Sequence, residues 1–187
     1  MVVLTNMKSQ QENKDHAMDI MPEILSRFTP QSLINEQIDQ KVLYRILEAG
    51  RLAPSAKNRQ PWRFILIRDP NVKKKLREAC YNEQIIDDAP AIIAVCTTNT
   101  EYRMPNSHLS WPVDLSFASA FMCLQAQHEG FNSVIYTTFH EDEVRQILTV
   151  PHSMRVLLLL LIGKTSENKS AVHDRLKRDR IISEEHW

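Results

Sequence analysis

The stretch at residues 115–129, LSFASAFMCLQAQHE, restricts the fold more than any other part of the chain. Phe117, Ala118, Ala120, Phe121, Met122, Leu124 and Ala126 lie on nearly every side of the helix it would form. A helix that is apolar all round needs cover on several sides, inside a core or against another subunit. Asp114 stands where an N-cap is expected and Gly130 where the C-cap is.

Around this stretch the hydrophobic period alternates between helix and strand. Ile38, Val42, Leu43, Ile46 and Leu47 predict a helix within residues 36–52, stopped by Pro54. WRFILI at 62–67 predicts a strand, ended by Asp69-Pro70. Asn71 opens a helix with Val72, Leu76, Ala79 and Cys80 on one face, and Lys73, Lys74 and Lys75 are expected outward as a solvated face. AIIAVCT at 91–97 and the run at 156–162 predict buried strands, and 133–136 a further strand. A short helix opens at His140 or Glu141, runs through Val144, Ile147 and Leu148, and closes before Val150-Pro151. This order predicts an α/β or α+β layered domain. At 187 residues the chain has room for one domain, expected over residues 21–187, after a polar leader at 1–20. Beyond Gly163 the chain is polar and basic, yet it carries Ile181, Ile182 and Trp187, which a neighbouring subunit could bury.

Composition closes several routes. The three glycines, Gly50, Gly130 and Gly163, are isolated, so neither a dinucleotide fingerprint nor a P-loop can be drawn. Any phosphate must be held by side chains or by non-glycine backbone. A net charge of zero removes the case for a general nucleic-acid or membrane-surface binder. The run at 156–162 is far below the ~20 residues of a membrane span. Cys80, Cys96 and Cys123 have apolar surroundings and no C-x-x-C spacing, so they read as buried thiols in a reducing, cytoplasmic setting. Cys123, His128 and Asp114 read as a core cysteine and a surface histidine rather than a nucleophile with its base. The seven histidines lack metal-ligand spacing, and no metal is expected.

The strongest local signal is APSAKNRQPW at residues 53–62. A helix ends, small residues let a flat ligand approach the backbone, Ser55 and Asn58 offer donors and acceptors, and Pro61 launches a strand. The plain alternative is a connection built from Asx and Ser turns. The segment LEAGRLAPSAKNRQPWRFILI resembles the signature of the nitroreductase family of FMN-dependent oxidoreductases, A-P-S-S-x-N-x-Q-P-W-x-F. ILSRFTPQSL, YNEQIIDDAPAIIAV and EGFNSVIYTTFHEDEVRQILTVP with the strand into LLIGK resemble further family segments in the same order.

The resemblance implies an α+β fold with a mixed β-sheet flanked by helices. It also implies an intertwined homodimer with C-terminal tail exchange and two FMN sites between the chains. Carried over by residue, Arg27 would pair with the FMN phosphate, with Phe28 and Thr29 beside it and Gln31 near the flavin. Pro54, Ser55, Ala56 and Asn58 would reach the flavin from the second subunit. Asn82 would bond the pyrimidine edge. Tyr136, Thr137 and Thr138 would bring backbone amides to the flavin edge, and Arg178 and Arg180 would join Arg27 on the phosphate. Arginine suits that task because its fork binds phosphate bidentately. The implied activity is two-electron, ping-pong reduction of nitroaromatic, quinone or similar flat acceptors with NADH or NADPH. The alternatives are dehalogenation or dehydrogenation of a small metabolite on the same fold, or non-catalytic flavin binding. The cofactor carries the chemistry, so no catalytic acid or base is expected.

Two departures from the family pattern stand out. Gln31 and Ile85 occupy positions where relatives carry cations, which implies a lower flavin potential here. Thr137-Thr138 replaces a glycine-containing pair and narrows the substrate gap. Tyr102, Met104 and Trp111, in the loop before the apolar helix, are candidate substrate-cover residues, with packing of the loop as the alternative.

Overall fold

The computed structural model describes residues 20–98, 100–168 and 175–186. Apart from Ile20, the expected leader lies outside the described residues, as does Trp187. Along the chain come α1 (Pro22–Ser26), α2 (Gln40–Arg51), β1 (Trp62–Ile67), α3 (Pro70–Ala79), the one-turn α4 (Ile85–Asp88) and β2 (Ala91–Thr97). These are followed by α5 (Trp111–His128), β3 (Asn132–Tyr136), α6 (Glu141–Ile147) and β4 (Arg155–Gly163).

The strands lie in the order β1-β2-β4-β3, and each neighbouring pair is antiparallel. The mixed sheet implied by resemblance is therefore not found among the described residues of one chain. The connections give the reason. Ile67 at the end of β1 faces Ile92 at the start of β2, so α3 carries the chain out and residues 80–90 bring it back. β2 and β3 run the same way, but β4 lies between them.

The sheet has a helical layer on each face. Leu43 and Ile46 of α2 and Leu115, Ala118 and Met122 of α5 pack on Ile93, Val95, Leu158 and Leu160. Leu76 and Ala79 of α3, Ile86 of α4 and Val144 of α6 pack on Ile92, Ala94, Leu159 and Leu161. β2 is buried along its whole length, which is why its sequence is continuously apolar rather than alternating. Each buried Leu or Ile is worth about 2 kcal/mol, so these two faces dominate stability. The register slips between Val95, opposite Leu158, and Cys96, opposite Val156; Leu157 is the extra residue of a bulge. Gly50 sits where α2 meets α5, and a Cβ there would lie 2.8 Å from Met122 Cγ.

Three local expectations are corrected. The helix expected within 36–52 begins at Gln40, because Asp39 takes the N-cap and accepts from Lys41 N. The apolar helix begins at Trp111 rather than after Asp114, because Pro112 in the first turn starts it early. Asp114 is thus inside the helix, not its cap. Lys73 is not outward. It is 5% exposed, and its Nζ donates to Ala89 O at 2.8 Å and to Asp87 O at 3.1 Å. Lys74 and Lys75 are exposed as expected.

Gly130 follows α5 with a φ of 78°, and Phe131 N donates to Ala126 O, so the expected C-terminal stop is in place. One chain buries only part of α5. Leu115, Ala118, Met122, Cys123 and Ala126 face inward, while Val113 (43%), Phe117 (48%) and Phe121 (40%) are exposed on the other side. No helix among the described residues is long and apolar enough to cross a membrane.

Candidate functional site

The loop after α2 holds a conformation its sequence does not advertise. Lys57 (φ 52°), Asn58 (φ 54°) and Gln60 (φ 51°) are all left-handed, and none is glycine. Such residues cost of order 1 kcal/mol or more each and persist only when their surroundings fix them. Ser55 Oγ accepts from Gln60 N at 2.9 Å, and Asn58 Oδ1 accepts from Gln60 Nε2 at 3.0 Å. Neither is a local Asx or Ser turn, which takes a backbone N–H two residues on: the Ser55 bond spans five residues and the Asn58 bond joins two side chains. These bonds use acceptors only. The donor groups of the Ser55 hydroxyl and the Asn58 amide are not used in these bonds.

A tertiary contact completes the hold. Ala56 N donates to Asp114 Oδ1 at 2.7 Å. Asp114 is 2% exposed, and its Oδ2 is buried with no partner among the described residues; neither has Trp111 Nε1, one turn earlier. The Arg59 guanidinium lies 3.7 Å from the centroid of the Tyr102 ring, and Lys57 Nζ lies 5.8 Å from it. Tyr102 thus packs against this loop. Met104 and Trp111 are half-buried nearby in sequence.

A second group gathers where β3 ends. Tyr136 OH donates to Cys80 O at 3.1 Å, and His140 N donates to Ala79 O at 2.9 Å. The Tyr81 and His140 rings lie 4.7 Å apart. This stitching ties the turn that holds Asn82 (φ 61°) to the segment that holds exposed Thr137 and Thr138. Burial first, then the neighbouring acidic groups, pushes the Tyr136 phenol up to about 12, so it stays a donor. Arg77 Nε donates to Asn82 O at 3.1 Å and anchors that turn from α3. Ile85 is packed against the core beneath.

A third group lies at the far end of α5. Arg27 caps α1, which packs along α5, with His128 Nδ1 2.8 Å from Glu23 Oε1. Burial raises the Cys123 thiol, against the field of the Arg27 charge. Arg27 and Phe28 are half-buried, and Thr29 is exposed. Arg27 makes no ion pair among the described residues. Gln31 keeps its side chain exposed while its backbone N donates to Glu167 Oε1 at 2.8 Å.

One chain does not unite these groups. Asp114, which holds the loop, and Cys123, near Arg27, are nine residues apart on α5, about 13 Å along its axis. Arg178 and Arg180 lie in a short turn, Arg178–Arg180. Arg180 is exposed, and the Arg178 side chain is outside the described residues. Pro54 is exposed beside the loop. All three cysteines are free and buried, with Cys80 and Cys96 pushed up to about 12 by burial, so none is a poised thiolate. No metal-holding cluster occurs among the described residues.

The Nitroreductase family model matches residues 24–91 and 80–164, which together hold all three groups. The chain belongs to the nitroreductase family. A curated relative from Archaeoglobus fulgidus, provisionally named NADH dehydrogenase/NAD(P)H nitroreductase, is 33% identical over 156 residues, covering 80% of this chain and 88% of its own. A nitroreductase family crystal structure from Clostridium difficile 630 superposes with a TM-score of 0.78 at 27% identity, covering 87% of this chain and 95% of that one. An FMN-dependent nitroreductase from Clostridium difficile R20291 gives the same TM-score at 22% identity, covering 89% and 100%. This member of the nitroreductase family thus has the family fold on a four-stranded antiparallel sheet among the described residues. Sequence reasoning missed Asp114 as the holder of the loop, and Arg77 as the anchor of Asn82. An acid four residues beyond Ser110, with Pro112 between, was the available signal for the first.

Proposed function

We propose that this nitroreductase is a homodimeric FMN enzyme that reduces nitroaromatic, quinone or similar flat acceptors with NADH or NADPH by a ping-pong, two-electron scheme. The observation that carries the reading is the exposed Val113–Phe117–Phe121 stripe together with the separation of the site's parts along α5. A twofold axis through that stripe sets two α5 helices antiparallel. The loop at the start of one helix then lies beside the Arg27 end of its partner. The apolar stripe is covered, and each composite site receives parts from both chains. Exposed Ile181 and Ile182 in the tail also gain cover if the tail crosses to the partner.

The donor set fits FMN. Unpaired Arg27, with Thr29 beside it, would hold the phosphate, with Arg178 and Arg180 joining it. Asn82 would bond the pyrimidine edge. The backbone N–H groups of Thr137 and Thr138 would meet the ring, and Ser55 and Asn58 of the partner chain would donate to it. Bound FMN supplies the capacity to accept and return a hydride. This chain supplies orientation, a phosphate grip without glycine, and a gap walled by Tyr102 and the threonines.

The test is the visible spectrum of the purified dimer. Flavin absorbance that bleaches under anaerobic NADH or NADPH and returns on adding a nitroaromatic or quinone is expected. A colourless protein that takes up no FMN, or a flavin that stays oxidised with both donors, refutes the reading. Halide release from a halogenated aromatic without nitro or quinone turnover would move the assignment to dehalogenation.

A further inference from the structure

A basin of about 820 Å³ lies beside α3, between the segment at residues 35–38, the turn into α3 and the segment entering β2. Its charged lining is Arg68, Asp69, Lys73, Lys74, Arg77 and Asp87. Cations outnumber acids four to two, and both acids are already engaged. Asp69 caps α3 through Asn71 N and Val72 N, and Asp87 Oδ2 accepts from Arg77 Nη1 at 2.8 Å.

The buried member is Lys73. Its two bonds go to the neutral carbonyl oxygens of Ala89 and Asp87, which leave one ammonium N–H unused and the charge without a contact ion pair. Burial lowers its pKa, against the fields of Asp87 and Asp88. A protein does not hold an ammonium in such a place without cost unless an anion comes to it. Above it, Arg68 and Lys74 are exposed and make no ion pair or hydrogen bond among the described residues. No aromatic side chain lines the basin, so it offers no platform for a nicotinamide, flavin or nucleobase. Its volume exceeds that of a single small anion.

We propose that this basin is a second ligand site, separate from the flavin groups, for a small molecule carrying two or more phosphates. Arg68 and Lys74 grip it from the rim and Lys73 from the floor. Guanidinium forks favour phosphate oxygens over a more diffuse charge match. The site draws on none of the residues assigned to the flavin, so it does not rest on that reading. Arg77 is excluded from the test because it also anchors Asn82.

The experiment is calorimetric titration of the FMN-saturated protein with inorganic pyrophosphate at constant ionic strength, beside the Arg68→Gln/Lys74→Gln variant. Citrate serves as the carboxylate control. Both substituted residues are exposed, so unchanged melting of the variant is expected and confirms its fold. Saturable binding of one pyrophosphate per chain, weakened at least tenfold in the variant and at least tenfold weaker for citrate, is the expected result. Absence of saturation, equal affinity in the variant, or citrate binding as tightly overturns the proposal. The same titration runs on protein that fails to take up FMN, so the two readings fail separately.

Discussion

Removing the Asp114 carboxylate isolates what holds the left-handed loop. Asp114→Ala deletes the acceptor that Ala56 N reaches at 2.7 Å from a side chain 2% exposed. A hydrogen bond to a charged group contributes about 1.5–3 kcal/mol. An acid in the first turn of an eighteen-residue helix adds about 0.5 kcal/mol through the helix dipole. Against this, removal relieves the buried Oδ2 that finds no partner, worth about 1 kcal/mol. The net loss is about 2 kcal/mol, or roughly 4–8 °C in melting temperature for a chain of this size. The loop also stores strain at Lys57, Asn58 and Gln60, so an untethered loop relaxes away from its bound shape. FMN affinity should therefore fall at least tenfold, measured by quenching of flavin fluorescence on titration. Asp114→Asn keeps an acceptor at the Oδ1 position and should retain most of both properties. The reasoning is refuted if the alanine variant binds FMN and melts as the parent does, or if asparagine falls as far as alanine.

Phe117→Glu places a charge in the exposed stripe of α5 and should convert dimer to monomer in sedimentation velocity, with loss of flavin. A folded, yellow monomer would disprove the shared site. Gln31→Lys restores a cation near the flavin and should raise the FMN midpoint potential; a redox titration that shows no rise counts against the role given to this position. The Arg45 partner holds the Glu129 carboxyl down to about 2, and the pair ties the C-terminus of α5 to α2. A carboxylate whose folded pKa is lowered stabilises above its unfolded value near 4.3 and loses that contribution as pH falls toward 2. Glu129→Gln should therefore flatten the melting-temperature curve between about pH 5 and pH 2 and leave its shape above pH 6 unchanged.

The strands at 62–67 and 91–97 were legible to the residue, because apolar runs there are bounded by prolines and polar turns. The antiparallel pairing was not, since it depends on where each connection returns. Lys73 reads as outward in the sequence because its partners, the backbone carbonyls of Asp87 and Ala89, become its neighbours only when α3 folds over the segment that contains α4. The left-handed loop left no trace, since local pattern marks such positions by glycine and this chain uses Lys, Asn and Gln. Family membership was legible from motif order, but the tether of the loop to Asp114 on α5 was visible only in three dimensions.

The division of labour proposed along α5 has a genetic consequence. In a hybrid pair, let one chain lack Arg27 and the other carry a broken 54–60 loop. One seam then inherits both defects, and the other inherits neither. Two inactive mutants, co-expressed, would yield mixed pairs with half their sites restored, a complementation that a self-contained monomer could never show.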